Sequence, residues 1–331
     1  MESKKQMHRA RGLLAGCLAL LVLLATGVPC LGSGKLFAIV AKSVSDRNFV
    51  RVYEAARAEA EGNGDRVILV GGTGKAHFRN QDAQIQTVLK LKPDGLAISV
   101  LHSKYLAENS FVEVRRVGIP VVTYDSDFTG EYSCLRAGYV GTDNRALGCV
   151  LAREARMFRP WGGKVAIMTG GLDDTNLNDR IQGVLNGLDI GGVESAWTLH
   201  DRSPVTCRDN YGQALNQLET LLDEPDIDVI ISVGAWAQMA PEYEKLILRY
   251  KASLDNGEKI LLFAGANSRQ LELFEKGLNH VNIGLDFEEM GRLVYRELKT
   301  LAEGGDIPLV TYTPVTVFSS ARSVSDPNSP E

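Results

Sequence analysis

Carboxylates, amides and an indole recur directly after short apolar runs in this chain. Lys42, Ser43, Ser45, Asp46, Asn48 and Phe49 follow the run at 36–41, and Asp125, Ser126 and Asp127 follow the run at 119–124. In the second half the loop Gly170 to Asn178 follows 164–168, Trp236 follows 229–233 and Asn267 follows 260–263. Carboxylates accept pairs of hydroxyls, amides bond both ways, and rings cover C–H faces, so these types gathered in one place make a polyol site. Each residue taken singly is equally well explained as a helix cap or a solvated loop. Three or four hydrogen bonds to charged groups, at roughly 1.5–3 kcal/mol each, support a micromolar complex of about −8 kcal/mol. Binding of this kind needs no catalysis.

The residues needed for catalysis are missing from the pattern. Gly71-Gly72-Thr73-Gly74-Lys75-Ala76 has the look of a phosphate loop, but Leu69 stands where its first glycine belongs and Ala76 where its Mg-binding hydroxyl belongs. No G-x-G-x-x-G opens a helix and no G-x-S-x-G is present. The five histidines, at 8, 77, 102, 200 and 280, are scattered without metal-ligand spacing. The expectation is a metal-free and cofactor-free binding protein.

Those loops need strands to position them. Short apolar runs of strand type alternate with longer segments of helical period, the pattern of parallel sheets covered by helices on both faces. Strands are predicted near 36–41, 66–70, 95–99 and 119–124, then near 164–168, 193–198, 229–233 and 260–263. Helices are predicted near 81–91, 104–117, 144–158, 179–188, 209–222, 241–250 and 288–301, with a terminal strand at 310–318. Pro93-Asp94 and Pro225-Asp226 each precede an apolar strand ending in Ser, and the echo suggests two lobes of like topology. In open sheets of this kind ligands lie at the carboxyl ends of the strands, where the polar clusters fall.

With 331 residues, 44% hydrophobic and 23% charged, the chain is long enough for two domains with their own cores. A net charge of −5 offers no basic face for nucleic acid. Lys4, Lys5, Arg9 and Arg11 precede an apolar run at 13–28, too short to span a bilayer comfortably, with small residues after it. Residues 1–32 therefore read as a cleaved signal peptide and the protein as periplasmic. Leu14-Ala15-Gly16-Cys17 has lipoprotein-box letters but no hydrophobic segment before it. Of Cys134, Cys149 and Cys207, either one pair is a disulfide, with Cys149 left as a buried thiol among apolar neighbours, or all three are unpaired. Residues 319–331 read as a flexible tail.

Several stretches together resemble the type I periplasmic sugar-binding proteins, the ribose-binding group of transporter receptors. They are residues 37–49, Gly118 to Asp127 with its Ile-Pro-Val-Val strand, Tyr139 to Asn144 with Gly-Thr-Asp-Asn, Asn178 to Gly183, and Ile283 to Gly291. Lys42 and the Asp125-Ser126-Asp127 run are also similar to receptors for the autoinducer furanose. The resemblance implies an α/β fold of two doubly wound parallel-sheet lobes joined by a multi-crossing hinge. Lobe 1 would be 35–142 plus 286–306, and lobe 2 would be 143–285 plus 307–318. Ligand contacts are implied at Lys42, Asp46, Phe49 and Asp125 in the first lobe and near Asn178, Asp209, Gly234 and Gly265 in the second. Ser126, Asn178, Gly234, Gly265 and Leu285 depart from the ribose pattern, so a different sugar, a furanose signal or a less hydroxylated ligand fits better, with Trp236 as a stacking surface. The implied protein is a monomer that closes over a small sugar-like ligand. Its partner is an ABC-transporter permease or, alternatively, a membrane sensor such as a histidine kinase or chemoreceptor. A repressor core, which shares the fold, would carry a DNA-binding segment where this chain has an export signal.

Overall fold

The computed structural model describes residues 34–323. The expected signal peptide and the tail from 324 onward lie outside the described residues. The first half runs β1 (Leu36–Val40), α1 (Arg47–Gly62), β2 (Arg66–Val70), α2 (Phe78–Leu89), β3 (Gly95–Ile98), α3 (Ser103–Glu108), α4 (Ser110–Val117), β4 (Val121–Tyr124) and β5 (Gly138–Thr142). The second runs α5 (Asn144–Phe158), β6 (Gly163–Thr169), α6 (Thr175–Gly187), β7 (Trp197–Leu199), β8 (Val205–Thr206), α7 (Tyr211–Asp223), β9 (Val229–Ser232), α8 (Tyr243–Arg249), α9 (Lys251–Asp255), β10 (Ile260–Ala264), α10 (Ser268–Glu275) and β11 (Val281–Leu285). The chain ends on α11 (Phe287–Ala302), β12 (Val310–Thr313) and β13 (Val315–Ser319).

Strand pairing resolves two sheets. The first has the order β12-β5-β4-β3-β1-β2 and is parallel throughout. The second has the order β13-β11-β10-β9-β6-β7, with β8 also on β6, and is parallel except for β13. The inner strands are buried along their length, as uninterrupted apolar runs require when helices cover both faces.

Several boundaries differ from the sequence reading. The helix expected over 104–117 breaks at Asn109, whose φ of −120° and ψ of −104° are not helical and whose side chain bonds back to Tyr105 O at 2.8 Å. The strand expected from 193 starts at Trp197, because Val193 is fully exposed just after a left-handed Gly191. The segment 310–318 is two strands, and residues 310–313, expected in the second lobe, belong to the first sheet. Thr311 pairs with Val140 there, and the chain changes sheets at Pro314, which has no N–H to continue the ladder. Ser319 ends β13 and residues 320–323 form a 3-10 turn, so these positions are ordered into the fold and are no part of a flexible tail. All three cysteines of the body are unpaired. Their burial reverses the expectation: Cys149 is exposed on α5, whereas Cys207 is buried and its thiol is pushed up to about 11 by that burial.

Each sheet carries one helix pair packed backbone to backbone. On the first, Gly291 of α11 faces Val52 of α1, where an added Cβ would lie 2.1 Å from the Val52 carbonyl oxygen. On the second, Cβ atoms added at Gly148 and Gly183 would lie 2.1 Å from the Arg180 and Arg145 carbonyl oxygens. Backbone cannot swing aside as a side chain can. Gly148→Ala should therefore destabilise the protein by about 3 kcal/mol, the upper part of the overpacking range, measured as a lower urea midpoint with an unchanged slope.

Glu297 of α11 is buried beneath β12, where its Oε1 accepts from Thr311 Oγ1 at 2.5 Å and its Oε2 has no hydrogen-bond partner. Burial raises its pKa, against the Thr311 bond and Arg136. A raised carboxylate costs stability at neutral pH, and that cost fades as pH falls through the folded-state value to the ordinary glutamate range. Glu297→Gln, which keeps the Thr311 acceptor, should melt higher than the natural chain at pH 7, with the two converging in acid.

Candidate functional site

β1 ends at Val40, and Lys42 leaves the sheet two residues later. Its loop is braced from beside: Ser43 Oγ donates to Gly74 O at 2.7 Å, and Gly74 N–H donates to Ser45 Oγ at 3.1 Å. The glycine run 71–74 is thus a strut for the Lys42 loop, which accounts for it without a phosphate. Lys42 Nζ lies 3.1 Å from Asp174 Oδ1, beyond β6, and 3.6 Å from Asp125 Oδ2, beyond β4. Burial pulls the ammonium down, but the two carboxylates together outweigh it and hold its pKa above the ordinary lysine value.

Asp125 has a positive φ of 58°, which Asp tolerates better than most residues. Its Oδ2 accepts from Ser99 Oγ at 2.8 Å and its Oδ1 from Asn176 Nδ2 at 3.2 Å. The first sheet supplies Lys42, Ser99 and Asp125; the second supplies Asp174 and Asn176. Strand ends of the two sheets therefore meet here. Arg180 lies just behind, buried, with Nε donating to Asn144 Oδ1 at 2.8 Å and Nη1 to Val233 O at 2.9 Å. It braces the 142–144 crossing against the end of β9.

On the second sheet Trp236 is held by three loops. Its Nε1 donates to Asp209 Oδ1 at 2.9 Å, and its ring lies where Cβ atoms on Gly170 and Gly234 would come within 2.3 and 2.4 Å. Both glycines are needed for the ring to lie there. Asp46 and Asp209 keep solvent contact as residues, yet the mass of protein around both carboxylates raises their pKa values. Asp125 adds to the effect at Asp46 and Asp174 at Asp209, while the Trp236 bond opposes it.

Of the nine residues expected from sequence, Lys42 and Asp125 lie at this junction and Asp46, Asp209 and Trp236 border it. The others are engaged elsewhere. Phe49 is in the core, edge-on to Tyr124 at 6.0 Å. Asp127 is occupied by Arg136 at 2.6 and 3.1 Å, Thr123 Oγ1 at 2.5 Å and its neighbour's N–H, so it anchors its own loop. Asn178 holds Leu172 O at 2.8 Å. Asn267 caps α10 in a reciprocal capping box with Gln270. Asp174, Asn176, Ser99 and Arg180 are not among the expected residues; Asp174 and Asn176 stand where the 170–178 segment turns into α6, and residue type there does not say which side chains reach the other sheet. Among the described residues no cluster of three or more His, Cys, Asp or Glu could hold a metal ion, and no helix is long and apolar enough to cross a membrane.

Two doubly wound sheets joined by three crossings are the architecture of the type I periplasmic binding proteins. Residues 37–306 match the model of the periplasmic binding protein domain, and the chain belongs to that family. No curated protein matches it. Among solved structures, an ABC transporter solute-binding protein from Agrobacterium vitis bound with alpha-D-tagatopyranose superposes with a TM-score of 0.76 at 17% identity, covering 88% of this chain and 97% of the other. One from Burkholderia graminis in complex with D-arabinose gives 0.75 at 24% identity, covering 88% and 98%. A glucose-galactose binding protein from Geobacillus stearothermophilus gives 0.71 at 20% identity, covering 88% and 99%.

Removing Lys42 would leave Asp125 and Asp174 without the ammonium that they share across the junction. Lys42→Met should therefore favour separation of the strand ends over global unfolding, read as a larger radius of gyration by small-angle X-ray scattering with unchanged far-UV circular dichroism.

Proposed function

We propose that this chain is an exported solute-binding protein that closes over a small sugar or sugar-like ligand and delivers it to the permease of an ABC importer, acting as a monomer without cofactor or nucleic acid. The observation that carries this reading is the convergence of Lys42 and Asp125 with Asp174 and Asn176 from the other sheet. Such groups hold hydroxyls from two sides, and a ligand between them would exchange the direct contacts for its own. The family match and the sugars named with its structural relatives support the same class of ligand. The basic and apolar N-terminal segment supports export with removal of the leader.

The test is a thermal-shift screen of the mature protein against D-arabinose, D-ribose, D-galactose, D-allose and simple polyols. A true ligand at 100 times its dissociation constant stabilises by about 2.7 kcal/mol. Asp125→Asn keeps the left-handed backbone and should abolish the shift while circular dichroism stays unchanged. A screen in which no sugar or polyol moves the melting temperature would overturn the reading. A full shift retained by Asp125→Asn would remove Asp125 from the site.

A further inference from the structure

Asp125 gives its carboxylate to the junction, and its own carbonyl is held in turn. The residue has a left-handed φ of 58°, and its carbonyl oxygen accepts from the Tyr139 hydroxyl of β5 at 3.1 Å. The same hydroxyl lies 3.2 Å from the Thr142 carbonyl oxygen. A phenol has one proton to donate, so it serves one of these two oxygens at a time. Burial, with the Asp125 and Asp127 carboxylates, holds the Tyr139 pKa well above the usual phenol range, and the group stays a donor.

Asn144, the first residue of α5, biases the choice. Its Nδ2 donates to Thr142 O at 3.1 Å, so that oxygen is already supplied; the phenol oxygen, at 3.5 Å from Nδ2, lies beyond ordinary bond length. The amide is not free to turn over. Its Oδ1 accepts from Arg180 Nε at 2.8 Å, and Arg180 is fixed in turn by the Val233 carbonyl at 2.9 Å. With Oδ1 on the guanidinium, Nδ2 faces Thr142 and the phenol proton is left for Asp125.

Arg180 and Asn176 stand four residues apart on α6 and share one face of it. Asn176 holds Asp125 Oδ1 at 3.2 Å. A helix of the second sheet thus reaches Asp125 twice: its carboxylate directly, and its carbonyl through Arg180, Asn144 and Tyr139. All five residues are more than nine-tenths buried, so water does not substitute for these bonds cheaply. We propose that Tyr139 and Asn144 are positioning residues for Asp125, which direct one hydroxyl proton onto its carbonyl while α6 is docked and so make the set of Asp125 depend on the second sheet. That Asp125 contacts a ligand rests on the function proposed above; the circuit itself does not.

The test reads the link directly, by carbonyl 13C spectra of the ligand-free protein. Tyr139→Phe, which keeps the ring, should move the Asp125 carbonyl resonance upfield, as loss of a hydrogen bond does, and leave that of Thr142 in place. Asn144→Asp keeps an acceptor for Arg180 but removes the donor to Thr142 and sets a second acceptor beside the phenol. It should move the Asp125 resonance in the same direction, although Asn144 has no hydrogen bond to Asp125, and the double variant should move it no further than Tyr139→Phe alone. Asn144→Ala also drops the donor and serves if the aspartate variant does not fold. An Asp125 resonance unmoved by Tyr139→Phe or by the Asn144 variant, or additive shifts in the double variant, would overturn the circuit. With D-arabinose, D-ribose, D-galactose and D-allose as probes, each single variant should weaken binding of a responding sugar roughly five-fold, the equivalent of about 1 kcal/mol for one lost hydrogen bond. Full affinity in both would overturn the positioning role, whereas a screen in which no sugar binds the natural chain overturns the sugar reading and leaves the spectra to decide the circuit.

Discussion

A lysine ammonium withdrawn from water at the meeting point of two sheets sets the conditions for the rest of this molecule. An isolated buried charge costs several kcal/mol, and only close, well-placed carboxylates offset that. Lys42 has two, and they come from different sheets: Asp125 from the first and Asp174 from the second. Neither sheet alone satisfies it. The strand ends must come together for the charge to be compensated, and the loops around it are built to hold that register. Ser99 and Asn176 occupy both oxygens of Asp125, and the 71–74 glycine strut braces the Lys42 loop.

The alternation of elements was legible because burial on both sheet faces leaves a distinctive run of apolar residues, and β1 through β4 fall close to where the sequence puts them. What escaped was set by tertiary context. β5 and β11 were read only as crossings, since Gly138-Tyr139-Val140-Gly141-Thr142 lacks a long apolar run; its glycines fit close contacts instead, and a Cβ on Gly141 would strike the Tyr139 hydroxyl at 2.3 Å. The sheet to which 310–313 belongs depends on pairing with Val140, which no local pattern encodes. Ser268–Glu275 was missed although Asn267 and Gln270 form a reciprocal cap, because Asn267 was weighed as a ligand residue.

That last case shows why the candidate site was only partly legible. Asp, Asn and Ser after a strand serve equally to start the following helix, and Asp46 does cap α1. Residue type cannot separate cap from contact; the partner atom can. Asp127, Asn178 and Asn267 bond to groups of their own sheet and its loops, Asn267 to Gln270 and Met239, whereas Lys42 and Asp125 reach across to the other sheet. The same ambiguity applies to the histidines at 77 and 102, two of the five that the sequence scatters without metal-ligand spacing. Their Nδ1 atoms turned out to carry backbone bonds that a serine would ordinarily make.

The charge left at the junction also narrows what could bind on the proposed reading. Arg180, the buried guanidinium nearest Asp125, is committed to Asn144 and the Val233 carbonyl, and Lys42 already faces two carboxylates. An incoming phosphate or carboxylate would have to draw these cations away from the groups that already hold them. Asp46 and Asp209 border the same space with pKa values raised by their surroundings, so added negative charge there would raise them further. Hydroxyl donors do the opposite, supplying hydrogen bonds to carboxylates without adding charge. On that reading the ligand favoured is a neutral polyol, for whose ring Trp236, fixed by Asp209 and two glycines, would offer a rigid apolar face beside the carboxylates.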